Sequence, residues 1–252
     1  THVAGIIAAE RNNNLGVKGV ADNVKIMAVR TVPDGDEYDK DVALAIRYAA
    51  DNGAKIINAS FGKPFSPYSE WVREAIAYAA KKDVLFVHAA GNDALNLDDP
   101  ENENYPNDQD ANGPEFTDNV LTVGSLDSSY GLSMISSFSN YGATGVDIFA
   151  PGGEIYSTMP GSAYEFQGGT SMAAPAVSGV AAMIRSRFPK LSAAQVKQII
   201  MSSGVYLSSN FTLGGDPENT VALDQACRTG RIANLYNALI LAGQVDRGAV
   251  KF

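Results

Sequence analysis

The residues best suited to chemistry stand in one string, GGTSMAAP over positions 168–175, which leads into an apolar helical run over 176–184. Two glycines let the backbone turn tightly and place Ser171 at the start of the helix. A serine there can cap the helix, or it can act as a nucleophile, because a helix N-terminus offers N–H groups and positive potential to an oxyanion. Thr170 could take over capping, so the string favours the nucleophile and leaves the cap open.

A nucleophilic serine also needs a base, an acid that orients the base, and preset donors for the oxyanion. Asn92 follows a predicted strand in the turn Ala90-Gly91-Asn92 and can present its side-chain NH₂ beside Ser171; the alternative is a plain left-handed turn residue. The sequence holds two histidines as candidates for the base. His2 stands in a segment that could approach the sheet, but no other feature of the sequence supports it as the base. His88 lies in an extended run roughly 13 Å before Asn92, at about 3.3 Å per residue, which indicates a buried strand histidine.

Strands alternate with helices along the first half of the chain. Apolar runs rich in β-branched residues predict strands, and apolar positions three and four apart predict helices. Strands are predicted over 24–31, 55–60, 84–89, 119–125 and 145–150, and helices over 39–52 and 69–82, with a turn at 33–36. This alternation predicts a mainly parallel sheet covered on both faces, with chemistry at the carboxyl ends of its strands.

Other segments complete the predicted domain. A buried helix is expected over 1–9, an edge strand over 155–158, a capped helix over 192–202, an irregular loop over 208–224 and a last helix over 232–242. The polar loop over 94–116 fits a solvated excursion, although its part over 98–112 could narrow or roof a cleft. No internal repeat or linker interrupts the chain, which predicts one domain.

Composition excludes several classes of protein. The 252 residues are 45% hydrophobic and 19% charged, which suits one globular domain with a sizeable core. A net charge of -9 argues against nucleic acid or an anionic membrane as partner. The single cysteine, Cys227, permits neither an internal disulfide nor a cysteine-rich metal site. No apolar run approaches the roughly 20 residues of a membrane span.

Three strings in register resemble the subtilisin-like serine peptidases (subtilase family, S8 type): Thr1-His2-Val3-Ala4-Gly5, Ala90-Gly91-Asn92, and the stretch over 169–175. Residues 230–234 resemble the family's lead into its last helix. The resemblance implies a three-layer α/β fold whose mainly parallel sheet is flanked by helices on both faces. It further implies that residues 1–252 are one peptidase domain, incomplete at the N-terminus and lacking its N-terminal strand or strands.

The resemblance also assigns site residues. Ser171 matches the family's nucleophile, which forms an acyl-enzyme, and Asn92 matches its side-chain oxyanion donor. The segments Ser60-Phe61-Gly62 and Ala89-Ala90-Gly91 resemble the two stretches that line the primary specificity pocket, and the first would also pair with substrate as an added strand. The resemblance thus predicts a serine endopeptidase that hydrolyses peptide bonds.

The base and the acid of the triad are expected outside the chain. The family's catalytic histidine is the first His of a His-Gly-Thr-His-Val-Ala-Gly string, so His2 matches the second one, which is not the base. We therefore expect the catalytic His and Asp upstream of Thr1, and we expect the polypeptide expressed alone to be inactive and poorly folded. A catalytically dead binding module of the same fold (a pseudopeptidase) is the alternative. A nucleotide-binding protein is disfavoured because no phosphate-binding glycine motif follows a strand.

The resemblance suggests few cofactors and partners. No cofactor is expected for the chemistry, although the family often binds structural calcium through an Asn that Asn13 resembles. A plain turn is the alternative there, because calcium needs a full set of 6 to 8 oxygen ligands. We expect polypeptide substrates, an inhibitory propeptide, a monomer, no nucleic acid and no membrane span. The family implies a secreted, cell-surface or periplasmic location.

Overall fold

The computed structural model describes residues 1–32, 35–110 and 113–252. Its α-helices are α1 (His2–Ala8), α2 (Asp39–Asp51), α3 (Ser69–Lys81), α4 (Thr170–Arg187), α5 (Ala193–Ser203), α6 (Leu223–Ala226) and α7 (Leu235–Asp246). Its strands are β1 (Ile56–Ala59), β2 (Leu85–Ala89), β3 (Val120–Leu126), β4 (Ile148–Pro151), β5 (Ile155–Met159), β6 (Ala163–Gln167), β7 (Val205–Tyr206), β8 (Asn210–Leu213), β9 (Asp216–Ala222) and β10 (Arg231–Ile232). Within these ranges no helix combines the length and apolarity that crossing a bilayer requires.

The main sheet has the strand order β1-β2-β3-β4-β10-β7. The first five strands run parallel, and β7 joins the far edge antiparallel. The parallel pairs place Ala59 opposite His88 and Ala89 opposite Val123, so the carboxyl ends of β1, β2 and β3 lie at one edge. This topology confirms the mainly parallel sheet expected from the sequence.

The two faces of the sheet pack on different helices. Leu85 and Val87 join the core that contains α4, α5 and α7, whereas Phe86 points the other way into the core with α2 and α3. Successive strand residues point to opposite faces, which explains why all five positions of β2 are buried. The observed architecture is therefore the predicted three-layer α/β fold.

The prediction of a strand over 24–31 is wrong. This segment has irregular structure, and its Ile26 and Met27 are 49% and 41% exposed. A cavity of about 880 Å³ lies between the segment and β1 and is lined by residues of both. An extended segment becomes a strand only when a neighbour satisfies its ladder hydrogen bonds, and in the described chain no strand pairs with this one. β1 is consequently the edge of the described sheet.

The prediction of an irregular loop over 208–224 is also wrong. Strands β8 and β9 form an antiparallel hairpin there, joined by Gly214 and Gly215 at φ values of 61° and 73°. Paired glycines adopt such left-handed values without strain and are typical of two-residue hairpin turns. Phe211 and Leu213 are buried and anchor the hairpin to the body of the protein.

The remaining predicted elements are present with shifted bounds. The edge strand over 155–158 exists as β5, but it pairs with β6 and not with the main sheet. The last helix begins at Leu235, because Asn234 accepts a hydrogen bond from the Asn237 N–H at 2.9 Å while Ile232 belongs to β10. Ser192 caps α5 as predicted. Two positions of the predicted turn, 33 and 34, and two positions of the polar loop, 111 and 112, lie outside the described residues.

Part of the polar loop is buried, so the expectation of a solvated excursion does not hold for that part. Its residues Asp108 and Glu115 meet Asp147, Lys197 and Arg228 in what we call the buried charge cluster. Lys197 is 1% exposed and bonds Glu115 Oε2 through Nζ at 2.6 Å. Arg228 pairs with Glu115 and places Nε 3.5 Å from Asp147 Oδ1, whereas Asp108 Oδ2 has no partner in the described structure. The loop is thus fastened to the body by charges.

Asp108 makes stability depend on pH. Burial, partly offset by Lys197, raises the pKa of this carboxyl from 3.8 to about 7. Between these values the folded protein keeps a proton that the unfolded chain loses, so the folding free energy contributed by Asp108 weakens as the pH rises from about 4 to 7. Above pH 7 the carboxylate is ionised in the folded protein as well, and the cost of burying its charge destabilises the fold to the full extent.

The substitution Asp108→Asn removes the titratable carboxyl and is expected to remove the cost of burying its charge. We expect the variant to exceed the parent in stability at pH 8 by on the order of 3 kcal/mol, and to lose that advantage at pH 4. Thermal unfolding of both proteins at pH 4, 6 and 8 measures the difference, with the exposed Asp118→Asn as matched control. A difference that stays constant with pH would contradict the assignment.

Candidate active site

Ser171 lies in the first turn of α4 and does not cap it. The helix begins at Thr170 after Gly169, whose φ of 153° and missing side chain leave the N-cap without a side-chain hydrogen bond. As the second helical residue, Ser171 has an N–H without an intrahelical acceptor. The capping alternative is therefore wrong for Ser171, and Thr170 does not take over capping either. The serine carries a free N–H and a hydroxyl at the positive end of an 18-residue helix.

Pro175 frees the carbonyl of Ser171. In an uninterrupted helix the N–H of residue 175 would donate to the carbonyl of residue 171, but proline has no N–H. Ser60 Oγ takes the place of the missing backbone donor and donates to the Ser171 carbonyl at 2.8 Å. The proline in the string thus ties the helix to the segment that follows β1.

A second bond runs in the opposite direction between the same two serines. Ser171 Oγ donates to the Ser60 carbonyl at 3.1 Å. Asn58 orients this contact, because its Nδ2 donates to Ser60 Oγ at 2.8 Å and its Oδ1 accepts from Ser178 Oγ at 2.9 Å. The hydroxyl of Ser171 is therefore held toward the carboxyl end of β1.

Asn92 is fixed beside the serine by Thr170. Its Oδ1 accepts from the Thr170 N–H at 2.8 Å and from Thr170 Oγ1 at 2.9 Å, while the Gly91 N–H donates to Thr170 Oγ1 at 3.1 Å. With its oxygen engaged, the amide must direct Nδ2 elsewhere, and Nδ2 has no acceptor in the structure as described. Gly91, with φ of 103°, makes the turn, and Asn92 is not among the left-handed residues. An exposed, oriented donor results.

Asn140 holds this turn, and sequence reasoning missed it. Its Oδ1 accepts from the Asp93 and Leu95 N–H groups at 3.1 and 2.9 Å, and its Nδ2 donates to the Ala90 carbonyl at 2.9 Å. Asn140 is 1% exposed, so these bonds are shielded from water. No local signal marks this asparagine, because its contacts lie 45 to 50 positions away along the chain.

The two predicted pocket segments lie side by side. Ser60-Phe61-Gly62 follows β1, Ala89-Ala90-Gly91 ends β2 and continues past it, and these strands are paired neighbours. His88 Nε2 donates to the Phe61 carbonyl at 2.9 Å and links the two segments. The structure thus brings Ser171, Asn92 and both segments to one edge of the sheet.

Neither histidine contacts Ser171. His88 is 1% exposed in β2, and burial lowers its pKa to about 4, which confirms the interpretation as a buried strand histidine. His2 lies on α1, where its Nε2 bonds the carbonyls of Ile155 and Glu165 at 3.0 and 3.1 Å. Both rings serve the packing of neighbouring backbone, so the chain offers Ser171 no imidazole base.

Asn13 lies away from this edge, in an exposed turn. Its Oδ1 accepts from the Leu15 N–H at 3.0 Å, and Asn14 and Gly16 have left-handed φ values of 59° and 52°. Among the residues that the structure describes, no group of three or more His, Cys, Asp or Glu side chains could hold a metal ion. One amide oxygen is far from the full ligand set that calcium requires.

Two known proteins illustrate what this chain is similar to. A thermophilic serine proteinase from Bacillus sp. (strain AK1) is 41% identical over 188 residues, which are 74% of this chain and 42% of that protein. Subtilisin DY from Bacillus licheniformis is 36% identical over 227 residues, 89% of this chain and 77% of that protein. The chain therefore spans less than half of one relative and about three quarters of the other.

The fold agrees with these sequence relatives. A solved protease structure from Pseudoalteromonas arctica matches with a TM-score of 0.75 at 29% identity, covering 96% of this chain and 70% of that one. The model of the subtilase family, peptidase S8, matches residues 1–226. The chain therefore belongs to the subtilase family of serine peptidases.

Proposed function

We propose that the chain provides the nucleophile and the oxyanion site of a serine endopeptidase. Ser171 Oγ would attack the carbonyl carbon of a substrate peptide bond, and its proton would pass to a base. The amine would leave with a proton as the acyl-enzyme forms, and water would then release the acyl group. Family membership supports polypeptides as substrates.

One observation carries this proposal: beside the Ser171 N–H, Asn92 Nδ2 is an oriented donor that has no acceptor among the residues that the structure describes. Two such donors are what a tetrahedral oxyanion needs, and their value lies in being fixed before the reaction. The two hydrogen bonds that Thr170 donates to Asn92 Oδ1 support that fixed orientation.

The alternative is a binding module that holds polypeptides without cleaving them. It is favoured by the contact of Ser171 Oγ with the Ser60 carbonyl, since a carbonyl cannot accept the proton of a reacting hydroxyl. The codons that precede Thr1 in the gene distinguish the two functions. His-Gly directly before Thr1, with Asp-Ser-Gly or Asp-Thr-Gly some tens of residues earlier, favours the peptidase, whereas another residue at the histidine position favours the binding module.

Asn92→Ala is expected to lower kcat of the gene product about 10²–10³-fold with KM nearly unchanged, a magnitude known from the same substitution type in a subtilisin. The donor acts on the charge that develops in the transition state and contributes little to ground-state binding. Hydrolysis of a peptide anilide measures both constants, with the exposed Asn12→Ala as control. A variant that keeps the parent's kcat would contradict the role of Asn92.

Location and assembly remain proposals that rest on the family. We propose an extracellular or cell-surface monomer that is kept inactive by a propeptide before maturation. The net charge of -9 suits a protein that stays dispersed in solution. Fractionation of the producing cells tests the location, and gel filtration of the purified protein tests the monomeric state.

A further inference from the structure

We propose that Ser178, a buried residue of α4, is a positioning residue for Ser171 and acts on it through Asn58 and Ser60. The inference rests on the proposed function, because it concerns how the attacking hydroxyl and its helical turn are held. It assigns a role in the reaction to a serine that stands outside the sequence motifs and forms its hydrogen bond with Asn58, not with Ser171.

Ser178 and Ser171 lie on the same face of α4. They are separated by about two turns of the helix, and both bond to the short segment from Asn58 to Ser60. Ser178 is 2% exposed. A buried serine in a helix often donates to the carbonyl of the preceding turn, but Ser178 Oγ donates to Asn58 Oδ1 at 2.9 Å. Its hydroxyl therefore joins α4 to β1.

A continuous series of hydrogen bonds runs from Ser178 back to Ser171. Asn58 receives the proton of Ser178 on Oδ1 and donates through Nδ2 to Ser60 Oγ at 2.8 Å. Ser60 Oγ in turn donates to the Ser171 carbonyl at 2.8 Å. We call these three bonds the hydrogen-bond series. It starts and ends on the same helix and crosses the carboxyl end of β1 between them.

The direction of the hydrogen-bond series follows from the group at its end. The Ser171 carbonyl has no helical donor because residue 175 is proline, and the single proton of Ser60 Oγ goes to this carbonyl. Ser60 Oγ must then accept from Asn58 Nδ2, which leaves Asn58 Oδ1 in need of a donor. Ser178 is the donor that the described structure supplies. The exchanged amide orientation would draw the proton of Ser60 away from the Ser171 carbonyl.

Without the hydroxyl of Ser178, Asn58 loses the partner that fixes its amide. Both residues line the cavity of about 880 Å³ beside β1, so the amide has room to turn away from Ser60. Ser60 then loses the donor that orients its own hydroxyl, and the bond to the Ser171 carbonyl weakens. The first turn of α4 carries the hydroxyl and the N–H of Ser171, so its displacement moves the nucleophile and one oxyanion donor together.

Ser178→Ala is expected to lower kcat of the gene product about 5–10-fold with KM nearly unchanged, the fold-change that corresponds to one hydrogen bond in the transition state. A substitution that merely destabilised the fold would lower the amount of active protein without this division between the constants in the folded fraction. Hydrolysis of a peptide anilide measures both constants, and titration of active sites corrects for unfolded protein. The exposed Ser186→Ala on the same helix is the matched control and should leave both constants unchanged.

A double variant tests whether Ser178 acts through Asn58. The hydrogen-bond series is already broken in Asn58→Ala, so adding Ser178→Ala to it should lower kcat by less than about 2-fold. Losses that multiply in the double variant would show that Ser178 acts by another route and would overturn the proposal. A Ser178→Ala variant with the kcat of the parent would overturn it as well.

An NMR measurement separates failure of this inference from failure of the proposed function. The amide nitrogen of Met172 shares a peptide unit with the Ser171 carbonyl, so its signal shifts when the hydrogen bond to that carbonyl weakens. The shift is expected in Ser178→Ala and not in Ser186→Ala, even in a gene product that cleaves no peptide. Such a gene product would contradict the proposed function, and the shift would still support the positioning of Ser171. An unchanged Met172 signal in Ser178→Ala would overturn the inference and leave the proposed function in place wherever the parent cleaves the anilide.

Discussion

Ser171→Ala is expected to lower peptide-bond cleavage by the gene product about 10⁶-fold, a magnitude measured for the equivalent loss in a subtilisin. In the proposed function this hydroxyl forms the acyl bond. Two other hydroxyls of the site are engaged elsewhere: Ser60 Oγ bonds the Ser171 carbonyl and Asn58, and Thr170 Oγ1 bonds Asn92. Release of fluorescent fragments from labelled casein measures the loss.

The exposed Ser202→Ala on α5 is the matched control, and it should retain the activity of the parent. The casein assay must be accompanied by a circular dichroism spectrum that matches the parent, because Ser171 also donates to the Ser60 carbonyl. A folded alanine variant that keeps a thousandth or more of the parent activity would place the nucleophile elsewhere.

Lys197→Met is expected to destabilise the folded protein by about 3–5 kcal/mol at pH 8. The ammonium is 1% exposed and lies 2.6 Å from Glu115 Oε2, and its positive charge also acts on Asp108 and Asp147. The surrounding carboxylates raise the pKa of Lys197 despite its burial, so it stays charged. Without the ammonium, the three acidic groups of the buried charge cluster share one positive partner in that cluster, Arg228.

Urea unfolding of the variant and the parent measures this loss. Lys190→Met, on the exposed segment between α4 and α5, removes a solvated lysine from the same region and should change stability by less than about 0.5 kcal/mol. The loss in Lys197→Met should shrink at pH 5, because Asp108 is then protonated. Equal stabilities of Lys197→Met and Lys190→Met at pH 8 would show that the cluster does not stabilise the fold.

Local patterns were sufficient for the layers of the fold. The helices α2 and α3 and the strands β1 to β4 were predicted because their apolar positions repeat with the periods of a helix or a strand. The segment over 24–31 has the same composition as those strands and failed for lack of a pairing partner, which no local pattern contains. The hairpin of β8 and β9 did carry a signal, the pair Gly214-Gly215, whose turn chemistry was overlooked.

Residues of the candidate site that stand in sequence motifs could be predicted, whereas residues whose roles depend on contacts distant in the chain could not. Ser171 and Asn92 stand in recognisable strings. The role of Thr170, which holds Asn92 instead of capping the helix, depends on a contact 78 positions away. Asn104 and Asn140 reach Ala90 from positions 14 and 50 residues further along the chain. In the sequence each is one asparagine among many polar residues.

Labelling of the gene product with a fluorophosphonate probe tests the central claim most directly. The probe phosphonylates a serine only where a base removes its proton and donors stabilise the phosphoryl oxygen. Mass spectrometry of the digested protein should locate one adduct on Ser171, and Ser171→Ala should abolish it. A correctly folded gene product that carries no adduct on Ser171 would contradict the account and leave a binding module of the same fold.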